Sequence, residues 1–256
     1  MEAVVELENV NKTYRARLGR RDGKALSGLS LRVFQRDVFG IVGTNGAGKS
    51  TALKILMGFV RPDSGSVSLA GYGSEDPASH AFVGYLPENP CLYRHLTLAD
   101  HFSFAGTLAG YSRETTRARA RELLQRVDLS HAANIPIRRF SKGMTQRAAL
   151  AYAMFHRPDI LILDEPMSGL DPLGRQIVVE LIREYNDQGH TVLFCSHILT
   201  DVERICNRIG IMHQGRMVAE KTPKELREQE NADSATGGGD VSPLESFFFR
   251  TVAADR

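Results

Sequence analysis

The sequence predicts an α/β fold with a parallel core sheet, and three observations carry that prediction. The octet Gly43-Thr-Asn-Gly-Ala-Gly-Lys-Ser50 stands between the apolar run Val38-Phe-Gly-Ile-Val42 and the apolar-periodic run Leu53-Lys-Ile-Leu-Met57. That is the setting of a phosphate-binding loop between a strand and a helix. Ile160 to Leu163 and Thr191 to Cys195 are short continuous apolar runs, which suit parallel strands buried on both faces. After Cys195 the pattern goes on alternating helix and strand as far as Asn231.

The whole chain agrees with a packed globular protein. Its 256 residues are 42% hydrophobic, enough for one large domain or two small ones. With 32 basic against 30 acidic residues, the net charge of +2 is too balanced for a nucleic-acid footprint, and no nucleic-acid partner is expected. No stretch approaches the roughly 20 apolar residues that span a bilayer, and Met-Glu-Ala-Val-Val-Glu lacks the pattern of a signal peptide. Any membrane role is therefore expected to come through a partner. Cys91, Cys195 and Cys206 form no C-x-x-C pair, which fits a reducing cytoplasm.

Along the chain, residues 3 to 14 and 25 to 43 read as strands, joined by a stretch from Arg15 to Lys24 with five bases and one acid. That stretch reads as a long hairpin tip, either a solvated turn or a contact for a membrane surface or acidic partner. Gly58 fits the C-cap of the first helix, and Pro62-Asp-Ser-Gly65 is a turn signal. Ser66-Val-Ser-Leu-Ala-Gly-Tyr72 alternates like an edge hairpin. From about residue 90 to 156 the pattern turns helical and predicts an inserted α-helical subdomain: Thr97 caps one helix, Ser112 with Thr115 opens a second, and Ser141 a third. Arg113, Arg117, Arg119, Arg121 and Arg126 read as its solvated face. Asn231 to Asp240 has the composition of a linker, and the apolar tail Pro243-Leu-Glu-Ser-Phe-Phe-Phe249 beyond it is expected to dock on its own domain or on a second subunit.

The chemistry gathers at strand ends. In the octet Gly43, Thr44, Asn45, Gly46, Ala47, Gly48, Lys49, Ser50, and on to Thr51, glycines let backbone N–H groups converge on phosphate oxygens at a helix N-terminus. Lys49 adds a full charge and Ser50 a hydroxyl for Mg²⁺. Ile160-Leu-Ile-Leu-Asp164-Glu165 puts two carboxylates at the end of a buried strand, a Walker B pattern. There Asp164 would hold Mg²⁺, directly or through water, and Glu165 would polarise an attacking water as general base.

From these residues the sequence resembles, over about residues 3 to 222, the nucleotide-binding subunits of ATP-binding cassette (ABC) transporters. The most specific stretch is Phe140-Ser-Lys-Gly-Met-Thr-Gln-Arg147, which matches the family's signature motif just upstream of Walker B, with Lys142 and Met144 in place of the commoner Gly and Gln. The resemblance implies that Ser141 and Gly143 bind the γ-phosphate of ATP held by the opposite subunit. It implies that Ser168-Gly-Leu-Asp171 is the D-loop at the partner's site, that His197 is the switch histidine facing the γ-phosphate, and that Tyr14 stacks on adenine. Where the family usually has the Gln of its Q-loop, this chain has Glu88, whose carboxylate can accept from metal-bound water. That exchange, the F-S-K-G-M form of the signature and the apolar tail resemble the ABC-2-type drug, sodium and polysaccharide exporter branch.

What the resemblance implies is a P-loop ABC ATPase with a parallel core sheet, an antiparallel β subdomain and a helical insertion. Residues 1–222 would be the ATPase domain, and 223–256 a C-terminal helix, linker and apolar tail. It implies ATP and Mg²⁺ as ligands, a separate transmembrane permease as partner, pairing as a homodimer or close-paralogue heterodimer, and a peripheral place on the cytoplasmic face of the membrane. Two other classes stay open on the sequence: a non-transport ABC ATPase acting on ribosomes or DNA, and a phosphate-loop nucleotide kinase. The single phosphate loop and the lack of sustained heptads count against the first; the signature and D-loop stretches count against the second.

Overall fold

The computed structural model describes residues 2–15, 23–233 and 242–254, and within them side-chain patterning decides which sheet each strand joins. In chain order the strands are β1 (Ala3–Tyr14), β2 (Gly23–Phe34), β3 (Val38–Gly43), β4 (Ser64–Leu69), β5 (Tyr72–Gly73), β6 (Val83–Leu86), β7 (Ile160–Asp164), β8 (Thr191–Ser196), β9 (Arg208–His213) and β10 (Arg216–Lys221). The helices are α1 (Lys49–Leu56), α2 (Leu98–Leu108), α3 (Arg113–Arg126), α4 (Lys142–Ala153), α5 (Pro172–Asp187), α6 (Leu199–Ile205), α7 (Pro223–Asp233) and α8 (Pro243–Ala254).

The strands with half-buried patterns form an antiparallel sheet in the order β2-β1-β4-β5, whose inner face is Val5, Leu7, Val10, Leu26, Leu29, Leu31 and Val33. The continuous apolar runs make the second sheet, ordered β10-β9-β3-β8-β7-β6 and parallel from β9 through β6. β3, β7 and β8 are buried at every position, as strands covered on both faces should be. β5 is the edge strand expected of the Ser66 to Tyr72 hairpin.

The expected strand 25 to 43 is two strands in two sheets. Between them Arg36 adopts φ 67°, while the Asp37 carboxylate accepts the Phe34 N–H at 2.9 Å and pairs with Arg208. The Arg15 to Lys24 stretch lies mostly outside the described residues, but its last two residues, Gly23 and Lys24, begin β2 and pair with Tyr14 and Thr13 of β1. The expected linker begins later than its composition suggested, because Asn231 to Asp233 complete α7; residues 234–240 lie outside the described residues.

Local chemistry sets the helix ends. Thr97 and Asp100 form a reciprocal capping box on α2, and Ser112 and Ser141 accept the Thr115 and Met144 N–H groups on α3 and α4. Gly58, with φ 68°, follows the C-cap of α1. The apolar tail is the helix α8, and it docks on its own chain, burying Leu244, Phe248 and Val252 with Val202 and Ile205 of α6 and Leu226 of α7.

The arginine face divides. Arg113, Arg117 and Arg121 are exposed, but Arg126 pairs with Glu184 at 2.5 Å and Arg119 is buried. The Arg119 guanidinium donates to the Phe155 and Met154 carbonyls at 3.2 and 2.8 Å and to Glu122 at 2.7 Å, closing the C-terminal end of α4. Arg119→Met should therefore cost about 2–4 kcal/mol by leaving those carbonyls unmatched. Arg113→Met should change stability by no more than about 0.5 kcal/mol. Urea unfolding of the two variants measures the difference.

Candidate active site

The phosphate loop is fixed from below. Gly48 is the N-cap of α1 with φ 103°, and a Cβ there would lie 2.4 Å from the Ala25 carbonyl oxygen of β2, so no larger residue fits. No side chain caps the helix, which leaves its first-turn N–H groups for a ligand or solvent. Gly215 ties the loop to the β9–β10 turn by donating its N–H to the Ala47 carbonyl at 2.9 Å. Lys49 is buried, and its Nζ donates to the carbonyls of Gly43 and Thr44 at 2.7 and 3.2 Å, spanning the loop.

Beside the loop, the end of β7 carries the acid pair. Asp164 is 2% exposed, and its Oδ1 has no hydrogen-bond partner. Burial pushes its pKa up; the Ser50 hydroxyl, donating to the carboxylate, pulls it down, Glu88 and Glu165 raise it further, and Lys49 opposes them. A buried carboxylate oxygen with no partner, next to a serine hydroxyl and an exposed glutamate, fits a hard divalent cation. Among the described residues no group of three His, Cys, Asp or Glu side chains is placed to hold a metal ion by itself.

Glu165 has a positive φ of 52°, rare for a residue with a side chain. The conformation is held by its N–H to the Cys195 carbonyl at 3.0 Å and by its own carbonyl, which accepts from Ser168 N–H at 3.0 Å and from Gln146 Nε2 at 3.2 Å. The result aims the carboxylate at His197: Oε2 lies 2.8 Å from Nδ1. With Glu165 ionised, Nδ1 carries the proton it donates, and Nε2 is left for another partner.

These groups share one cavity of about 650 Å³. Of the residues singled out in the sequence, Tyr14, Asn45 to Thr51, Glu88, Glu165 and His197 line it, with Asp164 buried behind. Gly43 and Thr44 line an adjoining cleft that also contains Asn45 and His197. Ser141, Gly143 and Asp171 do not reach the cavity. They gather at the N-termini of α4 and α5, where a Cβ on Gly143 would meet Leu170 at 3.4 Å and the Gly169 carbonyl at 3.6 Å, and Asp171 caps α5 by accepting the Gly174 N–H at 2.7 Å. Sequence reading met Gln146 only within the signature stretch and Lys24 only within the basic stretch, and placed neither of them, nor Ala25, in the cavity. Gln146 is 2% exposed, a polar residue among the buried alanines of α4, and its signals were that contrast and its place in the signature stretch. Lys24 and Ala25 line the cavity because β2 begins beside the loop.

A family model described as ABC transporter matches residues 26–168. The chain is 41% identical to an uncharacterized ABC transporter ATP-binding protein of Nostoc sp. over 98% of its own length and 76% of that protein's. It is 36% identical to the linearmycin resistance ATP-binding protein LnrL of Bacillus subtilis, covering 87% and 70% of the two chains. It is also 36% identical to the Nod factor export ATP-binding protein I of Burkholderia thailandensis, covering 89% and 74%. Among solved structures, the ATP-binding subunit of an ABC transporter superposes with a TM-score of 0.79 at 32% identity, over 89% of this chain and 93% of that one. A dimeric ATP-binding cassette in a post-hydrolysis state, bound to ADP and Pi, gives 0.78 at 27% identity, over 86% and 98%.

The buried acid makes a prediction about stability. Because the folded state raises the pKa of Asp164, it binds that proton more tightly than the unfolded chain does, and stability falls as pH rises through the folded pKa. Asp164→Asn removes the buried charge and should raise the melting temperature of the nucleotide-free protein at neutral pH, by roughly 2–4 °C per kcal/mol recovered. The gain should shrink as pH falls and vanish below the unfolded value of about 3.9. Calorimetry of both proteins across pH checks the sign.

Proposed function

The chain belongs to the ABC transporter family of ATP-binding proteins, and we propose that it is the ATP-hydrolysing subunit of an exporter, working in pairs on a separate transmembrane permease. The observation that carries this reading is the division of the site: the phosphate loop, acid pair and His197 share one cavity, while Ser141, Gly143 and Asp171 face elsewhere. A second copy, or a close paralogue, would bring its α4 N-terminus over the first copy's nucleotide. Dimeric cassettes among the similar structures support the pairing, and relatives named for Nod factor export and linearmycin resistance support export. None of the described helices is long and apolar enough to cross a membrane, so the peripheral position on the cytoplasmic face would come from the permease. Residues 1–222 would form the ATPase domain, with 90–156 as its helical insertion, and 223–256 the attached C-terminal part.

In the proposed mechanism the N–H groups of Gly43 to Thr51 and the Lys49 ammonium take the phosphates, with Tyr14 against the adenine. Lys49 would exchange its two loop carbonyls for phosphate oxygens. Asp164, Ser50 and Glu88 would hold Mg²⁺, which when bound supplies positive charge at the phosphate oxygens; the unpartnered Asp164 Oδ1 supports this placement. Glu165 accepts a proton from the attacking water, and its carboxylate also fixes the His197 ring so that Nε2 faces the transferred phosphate. Ser141 and Gly143, from the opposing subunit, direct the α4 N-terminus at the same phosphate.

Two substitutions separate the halves of the site. Lys49→Ala should weaken ATP binding by about tenfold or more, since it removes a charge-assisted contact. Ser141→Arg should leave single-subunit affinity within about threefold and yet lower turnover by about 10²-fold or more. Equilibrium titration with a fluorescent ATP analogue, beside steady-state phosphate release, measures both. Normal hydrolysis by Ser141→Arg would remove the second subunit from the mechanism.

A further inference from the structure

The C-terminal helix lies beside the catalytic loop, although sequence reading placed it outside the chemistry. His197 sits in the connection from β8 to α6, and its side chain is 54% exposed. The 2.8 Å contact with Glu165 holds the ring, but the backbone of that connection has few local bonds. α6 spans only Leu199–Ile205, and its N-cap, Ile198, supplies no capping side chain. Ile198 N–H reaches Ser196 Oγ at 3.0 Å, and the His197 N–H lies a long 3.4 Å from Glu165 Oε2. A helix this short is not stable by itself and depends on packing.

β3 and α5 pack against one side of α6, and α8 covers another. In α8, Leu244, Phe248 and Val252 recur every four positions, forming one buried stripe against Val202 and Ile205 of α6. Of the three, only Phe248 also lines the cleft of about 420 Å³ whose other walls include Gly43 to Asn45, His197 and Leu199. Phe248 thus touches the core that fixes α6 and borders the space shared by the catalytic ring and the phosphate loop.

We propose that α8 is a working part of the ATPase site, with Phe248 as the positioning residue that holds the β8–α6 connection and so the His197 ring. The proposal rests on the reading of His197 given above. Truncating Phe248 opens room beside the connection, and a displacement near 1 Å at a reacting group can cost about 10² in rate. Nucleotide affinity should hardly respond, because the phosphate loop is fixed independently by Ala25, Gly215 and Lys49.

The test is a graded series in the full chain, Phe248→Leu, Phe248→Val and Phe248→Ala, with Val252→Ala as the control buried on the same stripe away from the cleft. Each is assayed for kcat, KM for ATP and melting temperature. The expected result is a kcat that falls stepwise with side-chain size, by about fivefold or more at Ala, with KM within about twofold and most activity kept at Leu. Val252→Ala should lower the melting temperature and leave kcat unchanged. A flat kcat across the series, or a fall that simply tracks melting temperature in Phe248 and Val252 variants alike, would overturn the proposal. The series stays decisive if the Ala variant does not fold, because Leu and Val already separate the two outcomes. His197→Ala is measured alongside: normal turnover there would overturn the assignment of His197 itself, whereas lost turnover there with a flat Phe248 series would overturn only the role of α8.

Discussion

A carboxylate that the fold buries and leaves half unpartnered is the constraint around which this molecule is arranged. Asp164 ends a strand buried at every position, so its charge is withdrawn from water where neither sheet nor core supplies a matching cation. Glu165 follows it directly and adds a second negative charge. Such a pair is costly unless something positive arrives. The nearest offsets are the Ser50 hydroxyl, the Lys49 ammonium and the uncapped N-terminus of α1, all on the octet between β3 and α1. Parallel pairing of β3, β8 and β7 brings that octet to the same C-terminal end of the strands as the acids.

From that constraint the rest of the site follows. The left-handed backbone at Glu165 turns its carboxylate out of the strand direction and onto His197, and hydrogen bonds from Gln146, Ser168 and to Cys195 hold it there. The phosphate loop is braced by Lys49, by Gly215 and by the close approach of Ala25. The His197 connection leans on Glu165 and on the packing of α6 against β3, α5 and α8. On the reading proposed above, a braced loop for binding and a more exposed group for chemistry would suit a subunit that closes on ATP with a partner and opens again after hydrolysis.

Much of this was legible in the sequence because it rests on local chemistry. Caps at Thr97, Ser112 and Ser141 are written by residues that bond their own helix ends, and the buried strands by uninterrupted apolar runs. The family motifs brought together Tyr14, Asn45 to Thr51, Glu88, Glu165 and His197 before any fold was known. What stayed hidden depends on distant neighbours. No Gly or Pro marks the turn at Arg36, so two strands in different sheets read as one. Arg119 shares its composition with the exposed arginines of α3 and differs only in meeting the carbonyl end of α4. The tail's apolar residues announced that it must dock but not where, and its place beside His197 is set by α6, far away in sequence.

On the proposed reading this chain carries only half of each ATP site, and a second chain completes it. The most direct measurement is the light-scattering mass of Glu165→Gln with and without Mg²⁺ and ATP, since that change removes the proposed base while keeping its size and the loop that binds nucleotide. A monomer is expected without nucleotide and a doubled, long-lived mass with ATP, lost again when Ser141→Arg is added to the same chain. A protein that binds ATP yet stays monomeric at every concentration, or one that hydrolyses it at the wild-type rate, would contradict it.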